Sequence, residues 1–215
     1  MTSPPVDEPR DGVARPRYLA PLRALRSMLV AVRDAVDALA HPLRRRRARA
    51  RLARAHPGEV VFVCLGNICR SPYAARFLEA RLTNGIRVRS AGFIGPGRSP
   101  PETALEVARA HGLDHADHRS RVATPELLSS ADVLFVFDRA NARRLRQAAV
   151  RPERILWLGD FDPVWSGKRA IVDPWGKERD FFELTFSRIE RCLVEVQSVL
   201  CGITPGAPET TGRSP

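Results

Sequence analysis

The sequence predicts an α/β fold, a three-layer α/β/α sandwich built on a four-stranded parallel sheet. Three observations support this. Short runs rich in β-branched and aromatic residues recur at Val60–Val63, Ile86–Ser90, Val133–Phe137 and Arg154–Leu158. Stretches with helical spacing of apolar residues stand between them, as parallel strands joined by right-handed crossovers require. Residues 60–82 read as one strand, tight loop and helix, and in open α/β sheets ligands bind beyond the carboxyl ends of the strands.

In chain order, residues 1–17 are rich in Pro and charge and read as disordered. Leu22, Leu25, Leu29, Val32, Val36, Leu39 and Leu43 then alternate spacings of three and four, a heptad stripe. Pro21 is placed to start this helix and Pro42 to end or kink it. Arg44–Arg47 and the arginines up to Arg54 follow as a basic run. Such a helix has three possible resting places: its own domain, a partner or second copy, and an anionic membrane surface. His56-Pro57-Gly58 marks a boundary. The expected organisation is therefore a disordered 1–17, a basic amphipathic arm over 18–57, a globular domain over 58–201 and a disordered tail over 202–215. Deleting 1–57 is expected to spare the domain's chemistry to within a few-fold.

Val60-Val61-Phe62-Val63 gives the first strand. Ser71 suits an N-cap and Pro72 a first helical position, and Ala74, Phe77, Leu78 and Leu82 keep helical spacing behind them. Ile86–Ser90 alternates as a second strand. The loop Gly95–Pro101 leads to a helix from about Glu102 to His111, closed by Gly112. Thr124-Pro125-Glu126 opens a short helix with good capping chemistry. Val133–Phe137 is a buried strand, Asp138–Ala148 a helix and Arg154–Leu158 the fourth strand. Phe182, Phe186, Ile189, Leu193, Val196 and Leu200 carry a long final helix over Glu178–Leu200.

Composition bounds the function. The chain of 215 residues is 44% hydrophobic, enough for one core, and holds no run of 18 apolar residues. Its net charge is +11. Residues 1–57 hold 13 Arg against 5 Asp or Glu, so +8 of that charge sits in the arm and +3 in the remainder. A chain basic throughout would suggest a nucleic-acid partner; a basic arm on a nearly balanced domain does not. The polar, acidic, proline-bearing N-terminus is unlike a signal peptide. Two of the four cysteines fall in the loop after the first strand and must stay reducible, which fits a cytoplasmic location.

That loop, Cys64-Leu65-Gly66-Asn67-Ile68-Cys69-Arg70-Ser71-Pro72, carries the chemistry. A loop at a helix N-terminus turns several backbone N–H groups into one concavity, and the helix dipole makes it a site for oxyanions. Positive surroundings lower the pKa of a thiol such as Cys64 and make its thiolate a nucleophile. Arg70 offers a planar fork for two phosphate oxygens. Gly66 permits a backbone conformation that other residues resist. No Gly-Lys-Ser/Thr follows, so this is not a Walker A loop.

The spacing from Cys64 to Arg70-Ser71 resembles the phosphate loop of cysteine-dependent phosphatases. The fuller string near the start of a Rossmann-like domain resembles the low-molecular-weight protein tyrosine phosphatases, which implies a phosphatase I-like fold and hydrolysis of phosphotyrosine through a phosphocysteine, with no metal and no cofactor. By that resemblance Cys64 is the nucleophile and Arg70 grips the phosphoryl oxygens. Leu65, Gly66, Ile68 and Cys69 complete the cradle, Asn67 holds the loop in shape, and Ser71 hydrogen-bonds the thiolate. Cys69 resembles the second cysteine that traps the first in a reversible disulfide. Ser90-Ala91-Gly92 and His118-Arg119-Ser120-Arg121 resemble two further family segments. Phe93 stands where many members carry an aromatic pocket wall.

A tyrosine leaving group needs a proton. Two Asp-Pro pairs are available, Asp162-Pro163 and Asp173-Pro174. The resemblance favours Asp173 as the general acid, because Asp173-Pro174-Trp175-Gly176 directly precedes the last helix, and it makes Trp175 the wall for the phenyl ring. The partner so implied is a phosphotyrosine protein, in bacterial members often a tyrosine autokinase. Three rivals compete. An arsenate reductase of the same fold needs resolving cysteines, for which only Cys192 and Cys201 remain. A protein-arginine phosphatase resembles this chain less, because it carries Thr where Ile68 stands. A catalytically silent nucleic-acid- or membrane-binding protein would have no use for Cys64, Arg70 and Asp173 together.

Overall fold

The structure, a computed structural model, describes residues 20–202; within it, only the backbone is described for residues 20–27, 29, 30, 33 and 34. The expected disorder of 1–17 and of the tail beyond 202, and the side chains of Leu22, Leu25 and Leu29, lie outside the described residues.

Four parallel strands form one sheet in the order β2-β1-β3-β4: β1 Glu59–Cys64, β2 Arg87–Gly92, β3 Val133–Val136 and β4 Ile155–Trp157. Cys64 pairs in register with Gly92, and Val63 with both Ala91 and Val136, so the carboxyl ends of the central strands are level. Successive side chains of a strand point to opposite faces. Val60, Phe62 and Cys64 enter one core with residues of α2 (Arg70–Glu79), α3 (Glu102–Ala110) and α6 (Arg179–Leu200). Val61 and Val63 enter the other, with Leu127 and Leu128 of α4 (Pro125–Ser130) and Ala142 and Leu145 of α5 (Arg139–Gln147). The alternation makes β1 the middle of three layers. Phe62 stacks on Phe135 across β1 and β3 at 5.0 Å, and Tyr73 of α2 stacks on Phe186 of α6 at 3.8 Å. Thr124 and Asp138 cap α4 and α5, accepting bonds from the backbone N–H of Leu127 and Asn141.

Two local expectations change. Helix α2 begins at Arg70 with Cys69 in the cap position, so Pro72 is its third residue and Ser71 is not its cap. The Ser71 hydroxyl is turned instead toward Cys64. Helix α1 spans Ala20–Ala55 and continues through Pro42, although proline deprives the Ala38 carbonyl of its intrahelical donor.

Two compact units are found, 1–36 and 37–215. The second unit thus holds the last part of α1, and the boundary expected at 57–58 falls inside it. Leu52 and Ala48 are buried in the first core. His41 Nε2 lies 2.9 Å from the Asp162 carbonyl oxygen. Arg45 and Arg49 both donate to the Glu195 carboxylate. Arg51 donates to the carbonyls of Pro152, Glu153 and Ile155. The opposite side of the helix, with Val32, Val36, Leu39 and Leu43, is 50–83% exposed.

Candidate active site

The loop after β1 is short because Phe93 N–H, just past β2, bonds the Leu65 carbonyl at 2.8 Å and pins the loop to the neighbouring strand. Gly92 is glycine for a steric reason: a Cβ there would stand 2.8 Å from Asn67 N and 2.9 Å from the Leu65 carbonyl oxygen. The left-handed conformation in this loop falls on Asn67, at φ 52°, and not on Gly66. Asparagine tolerates that region better than most residues, and its side chain then closes a network. Its Nδ2 donates to the hydroxyls of Ser71 and Ser90, both at 2.9 Å. Its Oδ1 accepts from Arg121 N–H at 2.8 Å, and His118 Nε2 sits 2.8 Å from its carbonyl oxygen. Asn67 is fully buried.

This network aims two groups at the Cys64 sulfur. Asn67 N–H lies 3.2 Å from it and the Ser71 hydroxyl 3.1 Å, with Cys64 2% exposed at the strand end.

Arg70 is 1% exposed and runs beneath the loop. Its Nη1 donates to Asp138 Oδ2 at 2.8 Å and to the Ile171 carbonyl at 3.0 Å, and its Nη2 donates to Asp173. Burial alone would weaken its protonated form, but the charges of Cys64, Asp173 and Asp138 outweigh that and raise its pKa. Its Nε has no partner among the described residues. Asp173 reaches the site because Ile171 N–H bonds the Phe137 carbonyl at 2.8 Å, which fixes the segment to the end of β3.

A cavity of about 320 Å3 opens over the loop, lined by Cys64, Leu65, Gly66, Ile68, Cys69, Ile94, Arg98, Asp173 and Trp175. It brings together most of the residues singled out in the sequence. Asp162 goes elsewhere: its carboxylate is 1% exposed and bonds Ser166, Arg188 and Arg191, remote from the lining. Burial pushes the Cys69 thiol pKa up, helped by the charges of Asp173 and Cys64. Cys192 is buried in the first core and its thiol is likewise pushed up by burial.

The wall beyond Ser90-Ala91-Gly92 differs from expectation. Phe93 turns into the second core and lies 5.5 Å from the Arg144 guanidinium. Ile94 and Arg98 form the wall instead, opposite the 66%-exposed Trp175. Sequence reading missed Ile94, Arg98 and Asp138. The N-capping position of Asp138 was the one available signal for the last.

An anion cradle with a sulfur at its floor, an arginine beneath it and a carboxyl on its wall is suited to phosphoryl transfer through sulfur. Comparisons with known proteins identify the family. Residues 59–200 match the family model described as low molecular weight phosphotyrosine protein phosphatase. The low molecular weight protein-tyrosine phosphatase A of Mycobacterium tuberculosis is 40% identical over 146 residues, 64% of this chain and 88% of that protein. The solved structure of the Erwinia amylovora tyrosine phosphatase amsI is 30% identical at TM-score 0.57, covering 65% of this chain and 91% of its own. The arginine phosphatase YwlE from Geobacillus stearothermophilus is 27% identical at TM-score 0.58, covering 67% and 93%. With two thirds of its length matched to that family model, the loop from Cys64 to Ser71 included, the chain belongs to the low molecular weight protein tyrosine phosphatases.

Proposed function

We propose that Cys64 is the nucleophile, Arg70 the phosphoryl-binding residue and Asp173 the general acid in hydrolysis of a phosphotyrosine protein. The observation that carries the reading is the Cys64 sulfur, held between the Ser71 hydroxyl and the Asn67 amide in a cavity that also contains Asp173. The thiolate attacks phosphorus and the P–O bond to the phenol breaks. Asp173 gives its proton to the departing oxygen. The resulting phosphocysteine is opened by water, whose proton passes to Asp173; the P–S bond breaks and inorganic phosphate leaves. Arg70 Nε and the loop's amides neutralise the equatorial oxygens in both steps. Ser71 stabilises the thiolate as it departs.

Ile68 and Ile94 on the cavity wall, with Trp175 opposite, favour an aryl ring over the charged guanidinium of phosphoarginine. Hydrolysis of an aryl phosphate and of a phosphoarginine peptide by wild type and Cys64→Ser tests this. Wild type should turn over the aryl ester far faster, and Cys64→Ser should bind oxyanions without turnover. Substantial turnover by Cys64→Ser would sink the covalent mechanism.

The reading extends to redox control and placement. Peroxide would convert Cys64 to its sulfenic acid, and attack by the Cys69 thiol would release water and form a disulfide that a thiol reductant reopens. The exposed stripe of α1, continued on the same side by the exposed Arg46 and Arg47, suits an anionic membrane surface on the cytoplasmic side. Among the described residues no helix is long and apolar enough to cross a membrane. Sedimentation with anionic vesicles, lost at high salt, is the expected outcome; a salt-indifferent dimer that ignores vesicles would make the stripe a self-association seam.

A further inference from the structure

On the far side of the phosphate loop lies a second cavity, about 350 Å3, whose walls carry four guanidiniums against two carboxylates: Arg76, Arg89, Arg119 and Arg121 facing Glu79 and Asp117. Arg76 is engaged by Asp117 at 2.6 Å and Arg89 by Glu59 at 3.2 Å. Arg119 donates to the carbonyls of Ala116 and His118. The Arg121 guanidinium has no hydrogen bond or ion pair among the described residues; its backbone alone is used, the N–H by Asn67 and the carbonyl by Gly92 N–H.

His115 lines the same cavity at 1% exposure, and neither of its ring nitrogens has a partner. Burial first, then the charges of His118 and Arg76, hold its pKa down at about 4, so the imidazole is neutral and offers one N–H donor. An unpaired buried donor is costly and uncommon. A ligand in this cavity that accepts from His115 and receives the Arg121 fork would remove that cost, and an oxyanion with several acceptor oxygens does both.

We infer that this cavity is a second oxyanion site, for inorganic phosphate or the phosphoryl group of a monoester, coupled to the phosphate loop through Asn67. The coupling path is short. Ser90, His118 and Arg121 all line the cavity, and all three hydrogen-bond Asn67, whose own N–H points at the Cys64 sulfur. A ligand that draws on Arg121 or His118 therefore acts on the residue that shapes the nucleophile's surroundings. The inference goes beyond the assignment of the loop's substrate.

The test titrates the 15N-labelled full-length chain with inorganic phosphate and, separately, with phosphoserine. The His115 ring nitrogens report the second cavity and the Gly66 amide reports the loop. His115 should follow a saturation curve of its own, and the tighter of the two ligands identifies the source of the phosphoryl group. Arg121→Glu, an exposed substitution, should raise the dissociation constant read at His115 at least about tenfold, as loss of one charge-assisted hydrogen bond predicts, and leave that at Gly66 unchanged. At saturating aryl phosphate, added inorganic phosphate should still alter kcat in wild type and not in Arg121→Glu. A His115 signal that tracks Gly66 identically in both proteins overturns the proposal. So does one that stays still while Gly66 saturates, and an unchanged kcat removes the coupling. A silent Gly66 would count against the loop reading alone, since His115 is read independently.

Discussion

Leu52 lies on α1, well outside the residues that match the family model, yet it is completely buried in the core that backs the phosphate loop. Truncating a buried leucine to alanine costs about 2–5 kcal/mol, the upper end where the site cannot collapse. Ile86, Val199 and Leu200 border the adjacent cleft and come from separate elements, so the hole is not closed by one side chain moving. We expect Leu52→Ala in the full-length chain to lose about 3 kcal/mol. With a urea m-value of about 2 kcal/mol per molar, the unfolding midpoint should fall by about 1.5 M. Deleting 1–57 removes Leu52, Ala48 and His41 together and should cost more, a large share of the 5–15 kcal/mol typical of a domain. Deleting 1–36 should leave the midpoint nearly unmoved, because the second compact unit begins at Asp37. Urea unfolding followed by tryptophan fluorescence separates the three proteins. A Leu52→Ala midpoint equal to wild type, or a 1–57 deletion as stable as the 1–36 deletion, would refute the reasoning.

The two Asp-Pro pairs should part cleanly. Asp173→Asn is expected to slow aryl phosphate turnover by about 10²–10⁴ with little change in stability. Asp162→Asn should keep turnover per folded molecule and cost about 3 kcal/mol, because Arg188 and Arg191 lose a buried carboxylate; paired kinetics and urea melts decide, and the reverse pattern would reassign the acid. After mild peroxide and reductant, Cys69→Ala should recover less activity than wild type, and equal recovery would remove Cys69 from a protective role.

The strands and most helix limits were legible because their signals are local: β-branched runs, and caps such as Thr124 and Asp138. The cysteine loop was legible because its spacing is rigid. What stayed hidden depends on contacts distant in sequence. Asn67 rather than Gly66 takes the left-handed turn because Ser71, Ser90 and Arg121 together repay it, and no local pattern announces three partners. Phe93 invited assignment as the pocket wall, but just past the end of β2 it packs against the second core, and Ile94 lines the cavity. On α1 the described part of the leucine and valine stripe, Val32, Val36, Leu39 and Leu43, is exposed, whereas the docked side presents His41, Ala48 and Leu52 among arginines. A search for apolar periodicity selects the wrong face when the buried one works through small residues and guanidinium-to-carbonyl bonds.

Arg70 bears on how tightly the site holds any ligand. Its two terminal nitrogens are already bound by Asp138 and Asp173 while Nε is unpartnered, so in the proposed role a phosphoryl group that takes more than the Nε donor would enter by exchange with carboxylates that are part of the protein. The affinity is then a difference between two anions competing for one cation, not the full strength of an arginine–phosphate pair. Exchange of this kind discriminates by valence: a dianionic monoester outcompetes a tethered carboxylate, and a monoanionic diester or sulfonate gains little. It would also speed release, because Asp138 stays within reach to reclaim the guanidinium as inorganic phosphate departs.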